Sequence, residues 1–379
     1  MKENESVSAG AARSIPEALS DIVQNFENYL QEQGVEPVCT GIAGLDDALN
    51  GGLPIGITVL ASQSGMGKST LALQIASNVA GNEEDERAVL IFSMEMNKIH
   101  IVSKLLARDM FMREGNAAPQ SKDIISGRAY LVEENKRRID EAKQSSRIRA
   151  AAGHIHVITP DAKGMTISRV VQIIDEYRRH HKNDKSPLII IDYLQILTPE
   201  PGDKTDKQHA DNIMNRLRYV TLNKEQDGRV IYGCPVLLIS SLNRSNYDKD
   251  KIDLAALKDS GNIEYSADVV ISLEGESQGK AKKTADIIAD PIRKLQLRIL
   301  KQRYGAAGVK IPIRFYAEHD AFAEDEAKKT DVKSKRNSTK ALNSGRAGMP
   351  ESKETVQMSE NDKNAARLME KFGFDEEQL

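Results

Sequence analysis

A glycine-containing loop near residue 65 has the residue types and spacing that bind nucleotide phosphates. It covers residues 62–69, with the sequence SQSGMGKS, and follows the apolar run of residues 58–61. Glycines in such a loop let backbone N–H groups surround phosphate oxygens at the start of a helix. The lysine reaches the β- and γ-phosphates, and the hydroxyl after it ligates Mg²⁺. Residue 62 is serine where the motif has its first glycine, so a purely structural turn is the competing interpretation.

This motif predicts which residues contact a nucleotide. We expect the phosphates to lie against seven consecutive residues: Ser64, Gly65, Met66, Gly67, Lys68, Ser69 and Thr70. Lys68 is the predicted catalytic cation, and the Ser69 hydroxyl is the predicted metal ligand.

Two acidic residues follow patterns typical of buried parallel strands. Glu95 comes shortly after the apolar run 88–92, and Asp192 ends the apolar run 188–191. Open α/β sheets bind their ligands at the carboxyl ends of strands, where both acids are predicted to lie. We expect Glu95 to polarise the attacking water and Asp192, the Walker B acid, to bind Mg²⁺ with Ser69.

The composition excludes several classes of protein. The chain has 379 residues, a net charge of -3 and only two cysteines, Cys39 and Cys234. Two cysteines give neither a disulfide framework nor a cysteine zinc site. A chain with this charge is no general nucleic-acid binder, so any DNA site must be a local basic lining. No secretory signal or membrane-spanning run is evident, so we expect a cytoplasmic protein without membrane association.

Alternating strand and helix patterns predict an α/β fold with one doubly wound, mostly parallel sheet and flanking helices. Further strands are expected at 154–158, 236–240 and 268–273, helices at 98–150, 167–177 and 211–224, and a C-terminal β-hairpin from 295–300 and 309–316. His154 and His156 alternate within a predicted strand and are interpreted as strand residues, because no third metal ligand is evident.

The chain divides into five predicted segments. We expect a disordered leader over 1–14, a linker helix over 15–36 and an ATPase domain over 37–322. A disordered charged linker is expected over 323–358, and a short helix or tail over 359–379. The linker helix has an apolar face, which packs either on its own domain or on a neighbouring subunit.

A series of motifs, in order along the chain, resembles the C-terminal motor domain of DnaB-type replicative helicases. The motifs are TGIAGLDDALNGGLPIG, SGMGKS, FSMEM, DYLQIL, SSLNR, LKDSGNIEYSADVV and KQRYG, within residues 37–322. The resemblance implies a RecA-like P-loop fold that uses ATP and Mg²⁺. The family's N-terminal collar domain is expected to be missing, since about 36 residues precede the motor domain.

The resemblance also implies roles for single residues. Glu95 corresponds to the catalytic glutamate, and Gln195 follows the Walker B acid as a nucleotide-binding companion. Lys301 and Arg303 match a catalytic pair that serves a neighbouring subunit's ATP, with Arg303 as the arginine finger. Without the resemblance, these two residues would be interpreted as a solvated basic turn. The residues expected to contact single-stranded DNA are Lys258, Asp259, Gly261 and Arg244.

These implications favour an ATP-driven ring helicase, expected to be a hexamer, that translocates on single-stranded DNA during replication. A helicase loader or primase is a further expected partner. The alternative is a RecA-like ATPase, such as a recombinase or a regulatory switch, that hydrolyses ATP without unwinding DNA. Ser241 favours this alternative, because the family usually has glutamine there, in a motif that couples the γ-phosphate to DNA. A nucleotide-binding adaptor without turnover is disfavoured by Glu95, Asp192 and Arg303.

Overall fold

The computed structural model describes Val23 and residues 36–325, apart from 163, 182–184, 223, 227–228, 232, 243–251, 258–263 and 277–283. The described residues belong to the first of two units, which ends at Asp325. The predicted leader, the tail, and nearly all of the linker helix and charged linker lie outside them. The five predicted segments therefore stay predictions.

Nine strands form one mixed sheet in the order β11-β10-β9-β8-β1-β7-β4-β2-β3, and β5 and β6 pair separately. Their bounds are β1 Ile57–Ser62, β2 Val89–Ser93, β3 Ile155–Ile158, β4 Leu188–Asp192, β5 Lys224–Gln226, β6 Arg229–Ile231, β7 Val236–Ser241, β8 Val269–Gly275, β9 Ile292–Gln302, β10 Lys310–Tyr316 and β11 Ala321–Glu324. Six consecutive strands of the sheet are parallel to one another, in the order β8, β1, β7, β4, β2 and β3. The β8–β9, β9–β10 and β10–β11 pairs are antiparallel.

Helices cover both faces of this sheet. Their bounds are α1 Ala43–Ala48, α2 Lys68–Ala80, α3 Lys98–Glu114, α4 Ser121–Ile125, α5 Glu133–Lys143, α6 Ser146–His154, α7 Ile167–His180, α8 Asp206–Val220 and α9 Thr284–Ala289. Four begin after a side-chain cap, in which an Asn, Ser or Thr oxygen accepts a first-turn backbone N–H; the caps are Asn97, Ser145, Thr166 and Thr205. Such caps satisfy N–H groups that the helix itself leaves unpaired.

The central strands are buried on both faces, which explains their continuous apolar sequences. All six residues of β1 and all five of β2 and β4 are buried. One core joins the sheet to α2 through side chains such as Leu71 and Ile75. The other core joins the opposite face to α7 and α8, for example through Ile174 and Leu217. The sheet is thus a rigid layer between two helical layers.

The structure confirms the predicted doubly wound α/β sheet and the C-terminal hairpin, which is formed by β9 and β10. Several predicted boundaries of helices and strands differ from the structure. Helix α8 begins at Asp206 rather than 211, because Thr205 caps it, and it ends before β5. Strand β3 begins at Ile155, so His154 ends α6 instead.

Gln74 joins the helix after the P-loop to the last strand of the sheet. Its amide donates to the Phe322 carbonyl at 3.0 Å and accepts from the Phe322 N–H at 2.8 Å. The residue is 6% exposed, so both bonds form away from water. The ring of Phe322 stacks on Phe315 with centroids 4.2 Å apart. Gln74 therefore holds β11 and this aromatic pair against α2.

Replacing Gln74 with Ala should lower the free energy of unfolding by about 2 kcal/mol, because two buried backbone groups lose their partners. Urea denaturation monitored by circular dichroism measures this as a lower midpoint at an unchanged slope. Gln172→Ala is the matched control: Gln172 is exposed on α7, and its loss should change stability by less than about 0.5 kcal/mol. Equal midpoints for the two variants would contradict the assigned role of Gln74.

Candidate nucleotide-binding site

The loop between β1 and α2 has the backbone conformation of a phosphate-binding loop. Gly65 and Gly67 have φ values of +81° and +98°, a region that side chains other than glycine rarely adopt. A Cβ atom on Gly67 would lie 3.0 Å from ring atoms of both Phe315 and Phe322. The Met66 side chain is fully buried, so this residue offers the cleft only its backbone. The loop thus needs glycine both for its positive φ angles and because Phe315 and Phe322 leave no room for a side chain at Gly67.

Lys68 lies folded over the loop that precedes it. Its ammonium donates to the carbonyls of Ser62 at 3.1 Å and Gln63 at 3.0 Å. Burial lowers the pKa of Lys68 to about 8, against the opposing effect of the Asp192 and Glu95 carboxylates. A cation held this way at the N-terminus of α2 faces the position that phosphate oxygens take in such loops.

Asp192 and Ser69 form the second part of the site. The Ser69 hydroxyl donates to Asp192 Oδ1 at 3.0 Å. Burial raises the pKa of Asp192 to about 6, while the hydrogen bond from Ser69 opposes the shift. Strands β2 and β4 are in register, with Ser93 opposite Asp192, and the Met94 N–H donates to the Asp192 carbonyl at 2.9 Å. This pairing brings Glu95 to the same edge of the sheet as Asp192.

These residues line a cleft of about 350 Å³ at the carboxyl edge of the parallel strands. Its lining residues are Ser64, Gly65, Gly67, Lys68, Ser69, Thr70, Glu95, Lys104, Asp192, Tyr193, Ser241, Arg293, Phe315, Ala317 and Asp320. Most of the predicted nucleotide-binding residues are therefore neighbours in space. The Glu95 side chain is exposed to this cleft, as a residue that orients a water must be.

The oxygen donors of Ser69 and Asp192 fit Mg²⁺, which prefers hard oxygen ligands and retains several waters and phosphate oxygens. Among the described residues, no group of three or more His, Cys, Asp or Glu side chains could hold a metal. A site with two protein donors beside a phosphate-binding loop is the arrangement that Mg²⁺ takes with a nucleotide. The donor set therefore fits a metal that arrives with phosphates.

Gln195 lies one contact away from the cleft. Its amide nitrogen donates to the Ser240 hydroxyl at 3.1 Å, and its oxygen accepts from the Ser241 N–H at 3.4 Å. Ser241 itself lines the cleft. Gln195 thus connects the ends of β4 and β7. It does not line the cleft itself, and Ser241 lies between it and the cleft.

Sequence reasoning missed several cleft residues that come from distant parts of the chain. Arg293 donates to the Gly65 carbonyl at 2.6 Å and lies 5.2 Å from the centroid of the Phe315 ring. Lys104 on α3 pairs with Asp320 at 2.6 Å, and the Thr70 hydroxyl donates to the same carboxylate at 3.2 Å. No local motif marks these residues, because their position depends on the sheet order.

Lys301 and Arg303 lie at the opposite end of the sheet from the cleft. Arg303 is 3.4 Å from Asp268, which immediately precedes β8 and whose carboxylate accepts from the N–H of Ile57, the first residue of β1. The P-loop follows the other end of β1. Five residue steps at about 3.3 Å each separate these ends by roughly 17 Å. Neither cation therefore reaches the nucleotide cleft of its own chain.

Lys301 contacts the segment before β8. Its ammonium donates to the carbonyls of Glu264 and Ala267, the latter at 2.8 Å. Partial burial lowers the pKa of Lys301, and the nearby Arg303 cation adds to the effect. The predicted DNA-contacting residues Lys258, Asp259, Gly261 and Arg244 lie outside the described residues.

A family model described as the DnaB-like helicase C terminal domain matches residues 37–324. The chain belongs to this family. The match covers both the P-loop cleft and the Lys301–Arg303 hairpin, and it agrees with the resemblance noted from the sequence motifs.

The helices that the structure describes include none with the length and apolar character of a membrane span.

Curated relatives are similar over most of this chain. A replicative DNA helicase DnaB of Leifsonia xyli is 29% identical over 69% of this chain and 52% of its own length. A replicative DNA helicase DnaB of Geobacillus stearothermophilus is 27% identical over 83% of this chain and 62% of its own length. The chain thus spans between about half and two thirds of the length of these relatives.

Solved structures of DnaB-like ATPase domains share the fold. One of them, solved as an ATPase domain, superposes with a TM-score of 0.64 at 20% identity, over 83% of this chain and 100% of that one. A DnaB-like replicative helicase, described with its interactions with primase, has a TM-score of 0.63 at 21% identity. It covers 80% of this chain and 68% of that one. At these identities the likeness shows the RecA-like fold alone.

The lowered pKa of Lys68 predicts how stability depends on pH without nucleotide. Between pH 8 and about 10.5, the unfolded chain keeps the Lys68 proton while the folded chain releases it. The unfolded state then binds more protons, so this residue makes stability rise with pH. The Tm of the wild type minus that of Lys68→Met should therefore increase between pH 8 and pH 10 in differential scanning calorimetry. A constant difference would contradict the buried position of the ammonium.

Proposed function

We propose that this chain hydrolyses ATP and uses the energy to translocate on single-stranded DNA as a replicative helicase. The observation that carries the proposal is the division of the catalytic residues between two ends of one sheet. Lys68, Ser69, Glu95 and Asp192 face a common cleft at one end of β1, whereas Arg303 pairs with Asp268 at the other end of that strand. The two ends of β1 are roughly 17 Å apart. Such a division suits an active site completed by a neighbouring subunit.

Within the cleft, each side chain has a chemical task. Lys68 neutralises negative charge on the oxygens of the β- and γ-phosphates, between which the bond is cleaved. Glu95 is exposed to the cleft and accepts a proton from the attacking water. Ser69 and Asp192 would hold Mg²⁺, which supplies further charge neutralisation when bound.

Arg303 is proposed to act on the nucleotide of an adjacent subunit. An arginine that stabilises the charge developing at the γ-phosphate must approach it directly, and this one is too far from its own P-loop. Two tyrosines beside the cations are largely exposed: Tyr265 is 76% exposed and Tyr304 is 78% exposed. Exposed aromatic residues are enriched in protein interfaces. A ring of subunits, six in the proposed form, would cover this face and complete every cleft.

The DNA-binding part of the proposal depends on the family resemblance. Lys258, Asp259, Gly261 and Arg244 are the proposed contacts to single-stranded DNA. A helicase loader or primase is a proposed partner, and primase interactions are named with one of the structural neighbours. We expect the proposed helicase to act in the cytoplasm.

A second candidate is a RecA-like ATPase that hydrolyses ATP without unwinding DNA. Ser241 favours it, because it lines the cleft at a position where the family usually has glutamine. The backbone N–H of Ser241 donates to the Gln195 side chain. The end of β7 is therefore joined to the segment after β4 by this hydrogen bond. For this candidate, we expect Lys68, Glu95 and Asp192 to support hydrolysis, and Ser241 to affect only the coupling of hydrolysis to movement.

Subunit mixing tests whether the active site is shared. Arg303→Ala should bind ATP but lose about 10³-fold or more in turnover, the scale attributed to arginine fingers. Lys68→Ala should also be inactive, because the phosphates lose the P-loop cation. Mixed together, the two variants should recover part of the activity, because some interfaces combine an intact Lys68 with an intact Arg303. If the variants co-assemble and recover no activity, the active site is not shared between subunits.

Strand displacement separates the two candidate functions. With ATP and Mg²⁺, the wild type should displace the labelled strand of a forked duplex, and negative-stain microscopy should show six-fold rings. Glu95→Gln is the matched control: it should bind nucleotide and fork but displace the strand at least about 10²-fold more slowly, because water activation is lost. DNA-stimulated ATP hydrolysis without displacement would instead support the second candidate.

A further inference from the structure

We propose that Asp268 is a positioning residue for Arg303, which fixes the direction in which the guanidinium leaves its own subunit. The inference deepens the proposed function and depends on it, because it assigns Asp268 to the active site of the adjacent subunit. Asp268 belongs to no nucleotide-binding motif and lies far from the P-loop in sequence. Its role follows from four contacts at the start of β8.

The carboxylate of Asp268 is buried and is shared by two arginines. The residue is 5% exposed. Arg218 on α8 donates to Oδ2 at 2.9 Å and to Oδ1 at 3.2 Å, a two-pronged contact that fixes the plane of the carboxylate. Arg303 Nη1 lies 3.4 Å from Oδ1. Arg218 therefore holds the acid, and the acid holds Arg303.

The backbone fixes the other end of the Arg303 side chain. The Arg303 N–H donates to the Asp268 carbonyl at 2.9 Å. Lys301 donates to the carbonyls of Ala267 and Glu264 in the same segment. Both cations of the hairpin are thus tied to residues 264–268. A long side chain held at its base and near its tip retains few rotamers.

A contribution to stability does not explain this arrangement. The Arg303 side chain is 42% exposed and makes one contact at 3.4 Å with the carboxylate, so the pair contributes little to folding. Ordering a free arginine costs side-chain entropy each time the guanidinium must be placed. A finger that is oriented before assembly avoids part of this cost when it meets the phosphate. The contact therefore serves placement of the guanidinium.

The same carboxylate also touches the strand that leads to the P-loop. Asp268 Oδ2 accepts from the Ile57 N–H at 2.8 Å, at the start of β1. A substitution here could therefore act on the nucleotide of its own subunit, through β1, or on that of the neighbour, through Arg303. An experiment must separate these two directions, and mixed rings do so.

Asp268→Asn is the variant to test. Its amide oxygen still accepts from Ile57, but its amide nitrogen cannot accept from an arginine. We expect kcat for ATP to fall about 10- to 100-fold, the scale for removing a group that orients a functional side chain. KM for ATP should stay close to that of the wild type, whereas the Tm should fall, because Arg218 loses one of its two contacts with a buried carboxylate. The two kcat values are therefore compared at a temperature below both Tm values. Arg314→Ala is the control, because it breaks a similar pair, Arg314–Asp325 at 2.9 Å, away from both cations; its kcat should not change.

Mixed rings then assign the direction. Asp268→Asn mixed with Lys68→Ala should recover activity, because some interfaces combine an intact Lys68 with an intact Asp268 and Arg303. Asp268→Asn mixed with Arg303→Ala should recover none, because both lack a working finger. The reverse pattern would overturn the inference and assign Asp268 to its own P-loop. A kcat equal to that of the wild type would also overturn it.

Two further measurements keep the outcomes distinct. If Asp268→Asn does not fold, Arg218→Gln replaces it, since Arg218 is partly exposed and its loss frees the carboxylate without removing it. The same drop in kcat and the same mixing pattern are expected, and unchanged kcat would overturn the inference. If Lys68→Ala and Arg303→Ala co-assemble without recovery, the shared active site itself fails, whatever Asp268 does.

Discussion

The burial of strand β1 at the centre of the sheet is the constraint on which both proposed functional groups depend. These are the P-loop at one end of β1 and the Asp268–Arg303 pair at the other. The strand is paired in parallel with β7 on one side and β8 on the other, and all of its residues are buried. A strand fixed in this way cannot shift along its axis without breaking two ladders and exposing apolar side chains. Its carboxyl end therefore holds the P-loop at a fixed position along the strand axis. At its amino end, the Ile57 N–H donates to Asp268.

The second constraint is the cost of placing charges at the edge of a buried sheet. Lys68 and Asp192 are both shifted toward their neutral forms by burial, with pKa values of about 8 and about 6. Carbonyl oxygens and the Ser69 hydroxyl offset part of this cost. Anionic phosphates beside Lys68 and a divalent cation beside Asp192 would favour the charged forms of both side chains.

Much of the fold and cleft could be predicted because the signals are local. The apolar runs of β1, β2 and β4 mark strands buried on both faces, and glycines with positive φ mark the loop after β1. The start of α8 was predicted wrongly because a single cap, Thr205, decides it, and polar loop residues do not reveal which threonine acts as the cap. The short strands β5 and β6 were missed for a similar reason, since their pairing rather than their composition defines them.

The sequence by itself determined the fold class, the P-loop, the two acids at strand ends and the cationic hairpin, because each depends on residue types at fixed spacing. Only the tertiary structure decided which distant residues share a cleft or an ion pair. Arg293 and Asp320 enter the cleft because β9, β10 and β11 extend the sheet past β8, and Asp268 meets Arg303 because β8 and β9 are antiparallel neighbours. Strand order results from the packing of the whole chain, in which residues hundreds of positions apart exclude water together, and no local pattern encodes it.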